Sequence, residues 1–203
     1  MRSIYTKASF LKSAARVIQL PEDQGLEVAF AGRSNVGKSS ALNCLTMQKQ
    51  LARTSNTPGR TQLINLFALD QSRRIVDLPG YGYAKVPLKI KISWQHTLNQ
   101  YLQTRCCLKG VVLLIDSRHE PKDLDCIMLE SALERQLPIH LLLTKIDKMS
   151  RTQAQHRIQK LSNHFQKFSN FISIQTFSAH TKEGLLQLVN KLNEWFVVEA
   201  DSL

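Results

Sequence analysis

The chain has 203 residues, 43% of them hydrophobic and 21% charged, an ordinary globular composition whose length fits one domain at roughly 100–200 residues each. No apolar run approaches the roughly 18 residues of a membrane helix, and the basic N-terminus lacks an apolar stretch with a small-residue cleavage site. A membrane span and a secretory signal are therefore not expected, and the cytoplasm is the expected compartment. The formal charge of +11 sits mostly in residues 1–100, with 14 basic against 5 acidic side chains; such a half suggests a polyanion partner, nucleic acid above all, or simply a well-solvated surface.

In chain order, the first twenty residues read as a basic extension. Glu27–Ala31 reads as a strand and Lys38–Met47 as a helix. Gln62–Leu69 and Arg73–Leu78 are two strands joined by Asp70-Gln71-Ser72, a turn too short for a crossover, so this pair is expected to be antiparallel. A helix over Ser93–Arg105 follows. Val111–Asp116 and Ile139–Thr144 are near-continuous apolar runs, as in strands buried on both faces. Between them a helix starts at Pro121 and runs to about Gln136, proline being favoured in a first turn. Ser150 and Gln153 form a capping-box pattern that predicts another helix after Ser150. Phe171–Phe177 is the last strand, and Glu183–Val197 carries a helical apolar stripe. The alternation predicts a largely parallel sheet covered by helices. Residues 48–61 and 79–92 are long irregular stretches, and loops of that length in a compact domain are usually functional. Cys44, Cys106, Cys107 and Cys126 make no CxxC pair, so they read as reduced thiols rather than as zinc ligands.

Gly32-Arg33-Ser34-Asn35-Val36-Gly37-Lys38-Ser39 matches GxxxxGK[ST] between a predicted strand and a predicted helix, the context that motif needs. Gly32 and Gly37 let successive backbone N–H groups surround phosphate oxygens, with the helix N-terminus adding positive potential. Lys38 supplies charge to the β- and γ-phosphates, and the Ser39 hydroxyl suits Mg²⁺. Asp77 closes a strand and can orient Mg²⁺ through water, while Gly80, at the end of Asp77-Leu78-Pro79-Gly80, can turn its N–H toward a γ-phosphate. Thr144-Lys145-Ile146-Asp147 ends another strand. The Asp147 carboxylate can accept from N1–H and the exocyclic amine of guanine, an edge adenine does not present. Lys145 can pack along the base, and the Ala179 N–H, after Ser178, can donate to guanine O6. Thr61 is the candidate Mg²⁺ and γ-phosphate sensor between these motifs, with Thr57 and Thr54 as alternatives.

Together with Thr57-Pro58-Gly59-Arg60-Thr61-Gln62 and the run Asp77–Lys85, which reads DLPGYGYAK, these motifs resemble the EngB (YihA/YsxC) GTPases, single-domain bacterial proteins of the Era-like group. The resemblance spans nearly the whole chain. It implies a Ras-like α/β domain over 25–203, with six mostly parallel strands, one antiparallel edge hairpin and helices on both faces, and residues 1–24 packed on it. It implies nucleotide contacts from Gly32 through Ser40, from Gly59, Arg60, Thr61, Gln62 and Leu63, from Asp77, Leu78, Pro79 and Gly80, from Thr144, Lys145, Ile146 and Asp147, and from Phe177, Ser178 and Ala179. Lys38, Thr61 and Gly80 would carry the catalysis. Mg²⁺ and GTP or GDP are the implied ligands, and the large ribosomal subunit, its RNA and proteins, is the implied partner of a monomer linked to cell division and septation. Thr144 stands where many GTPases have Asn, and Ala179 where a second Ser is expected. Tyr81 occupies the position at which many switch GTPases carry a water-orienting Gln, so slow hydrolysis is expected, raised by K⁺ or by the ribosome. In related GTPases an Asn at the position of Asn35 binds K⁺; here Asn35 either does so or serves only the loop backbone. A GTP-sensing module with negligible hydrolysis and a P-loop ATPase or kinase are the competing readings.

Overall fold

The structure, a computed structural model, describes residues 4–52, 63–82 and 88–197, without the side chains of 88–91, 93 and 94. Among the described residues, seven strands form one sheet in the order β1-β3-β4-β2-β5-β6-β7. They are β1 (Ser9–Ala14), β2 (Leu26–Gly32), β3 (Ile64–Ala68), β4 (Arg73–Asp77), β5 (Leu108–Asp116), β6 (Ile139–Thr144) and β7 (Ile172–Thr176). Among the described residues five α-helices accompany them: α1 (Lys38–Thr46), α2 (Leu88–Thr104), α3 (Asp123–Glu134), α4 (Arg151–His164) and α5 (Leu185–Phe196). β4, β2, β5, β6 and β7 are parallel neighbours, and β3 runs against both β4 and β1. Two apolar layers cover the sheet. Leu98, Tyr101 and Leu102 of α2, with Met128, Leu129 and Ala132 of α3 and Leu161 of α4, fill one. Ala41, Leu42 and Leu45 of α1, with Leu188, Leu192 and Phe196 of α5, fill the other. Coverage of both faces explains why β2, β5 and β6 read as near-continuous apolar runs.

The expected count of six strands is corrected to seven, because the basic extension supplies β1, antiparallel to β3. The β3–β4 hairpin is therefore not the rim of the sheet; β1 is. Four of the six β1 residues are exposed, so the strand carries no alternation of burial by which a period of two could be read. The extension is anchored by specific bonds as well. Gln48 Nε2 donates to the Ala8 carbonyl at 2.7 Å, and Tyr5 Oη donates to Asn193 Oδ1 at 2.8 Å. Asp23 accepts the backbone N–H groups of Cys106 and Cys107, both at 2.8 Å.

The second helix begins at Leu88 rather than Ser93, so residues 88–92, expected to be irregular, belong to α2. Its early part, Leu-Lys-Ile-Lys-Ile, reads as an alternating strand and hides the helical period. The expected hairpin turn is there. Asp70 Oδ1 accepts from the N–H groups of Ser72 and Arg73 at 2.9 and 2.8 Å, an Asx turn. α4 starts as the capping box requires, with Ser150 Oγ accepting from Gln153 N and Gln153 Oε1 accepting from Ser150 N.

Far from the carboxyl ends of the strands, Glu27 is fully buried at the start of β2. It accepts from Arg105 Nη2 at 2.8 Å, Arg74 Nε at 2.9 Å and Tyr101 Oη at 3.0 Å. Burial pushes its carboxyl up, yet the Arg105 hydrogen bonds and charge hold it below the usual carboxylate range. Such a carboxylate ties β2, β4 and the end of α2 together, because the Tyr101 hydroxyl and the Arg74 Nε–H would otherwise lose their acceptor inside the protein.

Candidate functional site

The carboxyl ends of β2, β4, β6 and β7 meet where the strand order reverses on the two sides of β2, the usual ligand position in an open α/β sheet. The loop after β2 turns through Asn35 at φ 63° and Gly37 at φ 104°, then enters α1 at Lys38. A Cβ on Gly32 would come within 2.9 Å of both the Leu114 carbonyl and Val36 Cγ1, so the packing of this turn against β5 demands glycine. Gly37 is the N-cap of α1 in a left-handed conformation that a bulkier residue would strain.

Lys38, 9% exposed, forms an ion pair with Asp77 at the end of β4. The Lys38 ammonium, the Asp77 carboxylate and the N-terminal turn of α1, with Ser39 in it, thus share one small volume. Thr144 Oγ1, at the end of β6, donates to the Val36 carbonyl at 2.7 Å. This explains Thr144: its hydroxyl ties the base-side strand to the phosphate loop. Lys145 Nζ donates to the Asn35 carbonyl at 2.7 Å and to Asp116 Oδ2 at 2.9 Å. Arg118 also donates to Asp116, and that bond foremost holds the Asp116 carboxyl well below the usual range. Asp147 Oδ1 accepts from Ser178 Oγ at 2.7 Å. That bond is the main reason the Asp147 carboxyl is held low, so it is ionised at neutral pH. Ser178 Oγ in turn accepts from the N–H groups of His180 and Thr181, both at 3.2 Å. Phe177 and Ile146 join by a 3.3 Å backbone bond. Ala179 follows on the same loop, partly buried against the α1–α5 layer.

Beyond Asp77, Leu78 is buried, and Gly80 lies over Ser34, whose Oγ is 3.4 Å from the Gly80 carbonyl. A cavity of about 300 Å³ opens between the phosphate loop and the start of α3, lined in part by Arg33, Asn35, Asp116, Arg118 and Asp125. The structure thus brings together Gly32–Ser40, Asp77–Gly80, Thr144–Asp147 and Phe177–Ala179. Leu63 is exposed just before β3. Gly59, Arg60, Thr61 and Gln62, with the alternatives Thr54 and Thr57, lie outside the described residues, as do Arg53 and Lys85 and the side chains of Lys89 and Lys91.

Sequence reasoning did not find three partners: Asp116 for Lys145, the Ser178 hydroxyl for Asp147, and Asp125 for Tyr81. Ser178 was visible only as the neighbour of Ala179, and Asp116 only as the end of an apolar strand. No local pattern flags Asp125, which reads as one of two acids in the first turn of α3.

The strand–loop–helix cradle, the Asp77–Gly80 turn beside it and the Thr144–Asp147 corner against Ser178 define a P-loop GTPase domain. The 50S ribosome-binding GTPase family model matches residues 27–145. A probable GTP-binding protein EngB of Mannheimia succiniciproducens is 53% identical over 192 residues, covering 95% of this chain and 94% of its own. Its counterpart in Francisella philomiragia is 56% identical over 195 residues, covering 95% and 98%. The chain belongs to the EngB family of GTP-binding proteins. The crystal structure of a probable GTP-binding protein EngB superposes with a TM-score of 0.67 at 22% identity, over 85% of this chain and all of that one, a likeness of fold.

Proposed function

We propose that this chain is a nucleotide switch that binds GTP and GDP, hydrolyses GTP slowly, and acts in the cytoplasm as a monomer in large ribosomal subunit assembly, through which it bears on cell division and septation. The observation that carries the nucleotide reading is the Lys38–Asp77 pair inside the glycine-turned loop. Phosphate oxygens would take the lysine and the base corner would take guanine. The ribosomal reading is supported by the family description and by the basic first half of the chain.

In this reading the phosphate loop, Gly32 through Ser40, binds and orients the phosphates through its backbone N–H groups. Lys38 neutralises charge on the β- and γ-phosphates. Gly80 offers its N–H to the γ-phosphate, with Leu78 and Pro79 setting its height. Asp147, oriented by Ser178, reads guanine, while Lys145, held by Asp116, supports the sugar and base plane. Phe177, Ile146 and the Ala179 N–H complete that corner. The Ser39 hydroxyl and the Asp77 carboxylate are hard oxygen donors on adjoining elements, a set that fits Mg²⁺. Ser39 and Thr61 would hold the ion directly and Asp77 through water. Mg²⁺ supplies charge stabilisation to the phosphates. Gly59, Arg60, Gln62 and Leu63 would flank Thr61. Asn35 is exposed beside the loop, and its amide oxygen suits K⁺, which would raise the rate.

A second reading, a GTP/GDP-sensing module with negligible hydrolysis, is favoured by one observation: Tyr81, in the water-orienting position, turns its hydroxyl to Asp125. Multiple-turnover phosphate release in K⁺ and in Na⁺ at matched ionic strength separates the two. The ribosomal role is tested by sedimenting the protein with large subunits in a GTP analogue and in GDP across a salt series. Binding that depends on nucleotide and weakens steeply with salt is expected, because phosphate contacts release counterions. Arg53, Arg60, Lys85, Lys89 and Lys91 are the basic groups proposed to meet ribosomal RNA. Equal sedimentation in both nucleotides would remove the switch.

A further inference from the structure

Tyr81 follows Gly80 directly and is held on three sides. Its carbonyl accepts from Ser34 N at 2.8 Å, and its N–H donates to the Gly32 carbonyl at 3.4 Å, so the backbone is bridged to the phosphate loop. Its ring is buried, 4% exposed, and its hydroxyl donates to Asp125 Oδ1 at 2.7 Å. Asp125 is itself 2% exposed and fixed by its other oxygen, which accepts from Lys122 N at 2.9 Å at the start of α3. One residue further, Gly82 adopts φ 74°, and the Arg33 guanidinium packs on it. The chain is therefore pinned at Tyr81 and first becomes conformationally permissive at Gly82.

We infer that Tyr81, clamped by Asp125, is a positioning residue that holds the Gly80 N–H at the height of a γ-phosphate and so sets the preference for GTP over GDP. The inference rests on the reading of Gly80 as the γ-phosphate contact. A phenol in this place does not orient water; it exchanges that role for a fixed backbone donor. A hydrogen bond to a phosphate oxygen is charge-assisted and depends on placement, so a donor that wanders loses most of its value. GDP has no γ-phosphate, so its affinity does not depend on the clamp.

The test measures affinities for GDP and a non-hydrolysable GTP analogue on the full chain, with thermal melting of every variant. Gly80→Ala is the control for the underlying reading, since a Cβ there meets Ser34 Oγ at 3.3 Å and Ser34 Cα at 3.4 Å. It should lower the preference for the analogue. Tyr81→Phe and Asp125→Ala should each lower that preference about tenfold, the lower end for one charge-assisted hydrogen bond, with GDP affinity changed less than about twofold. Asp125→Asn should keep more of the preference than Asp125→Ala, because an amide can accept from Lys122 N while donating to the Tyr81 oxygen, although this reversal takes the acceptor from the buried Tyr81 O–H. An unchanged preference in both Tyr81→Phe and Asp125→Ala overturns the inference. Affinities for both nucleotides that fall in step also overturn it, since that is what a merely structural contact would produce. If Gly80→Ala leaves the preference untouched, the reading of Gly80 fails first and the inference falls with it.

Discussion

Thr144→Val deletes one hydroxyl from the junction of β6 and the phosphate loop while nearly preserving shape. Thr144 is 3% exposed, and its Oγ1 donates to the Val36 carbonyl at 2.7 Å. The substitution removes that donor and places a methyl against the carbonyl. Loss of a partner at a buried polar group costs about 1–3 kcal/mol. In a protein of this size each kcal/mol shifts the melting temperature by about 2–4 °C, so a fall of roughly 2–12 °C is expected. The Val36 carbonyl belongs to the loop proposed to surround the phosphates, and its release should loosen GDP and GTP binding together, by about tenfold or less. The assay is thermal melting without nucleotide, paired with affinity for both nucleotides. Thr144→Ser, which keeps the hydroxyl, should recover most of both effects. Wild-type melting and wild-type affinities in Thr144→Val would refute the claim that this hydroxyl fastens the loop to the sheet.

Asp147→Asn should lower GTP affinity by about two orders of magnitude or more and raise affinity for xanthosine triphosphate, because an amide reverses the donor pattern facing the base; competition titration with the two nucleotides checks it, and unchanged GTP binding would remove Asp147 from the base corner. His140 gives a pH effect. Its Nδ1 lies 2.8 Å from Ser173 Oγ and its Nε2 2.8 Å from Gln175 Oε1, and burial, foremost, pulls its pKa down to about 4. The unfolded chain takes up this proton near pH 6.5, so stability from His140 is present above that pH. It is lost as pH falls toward 4, by about 3 kcal/mol in all. Denaturant titrations at pH 7.5 and 4.5 should show the loss, and His140→Gln should flatten it.

The features legible in the order of residues are those whose parts lie close together along the chain. Gly32 through Ser39 specify their cradle through backbone freedom at Gly37 and the start of α1, and Asp70-Gln71-Ser72 specifies a hairpin through its own Asx turn. Ser150 and Gln153 start α4 for the same reason, since donor and acceptor lie three residues apart. The apolar runs of β5 and β6 were legible because both faces of these strands are covered, which leaves only Lys109 and Asp116 in β5 and His140 and Thr144 in β6 as polar interruptions. The tertiary structure alone decided that the extension is a strand: β1 owes its existence to pairing with β3, 50 or so residues away, and not to any pattern of its own. It also decided which side chains orient the functional ones. Tyr81 meets Asp125 across 44 residues, Lys145 meets Asp116 across 29, and Ser178 meets Asp147 across 31. The last two bonds join the ends of neighbouring parallel strands, β5 with β6 and β6 with β7, while the first reaches past β2, which lies between β4 and β5, so all three pairs of partners become neighbours only when the sheet has formed.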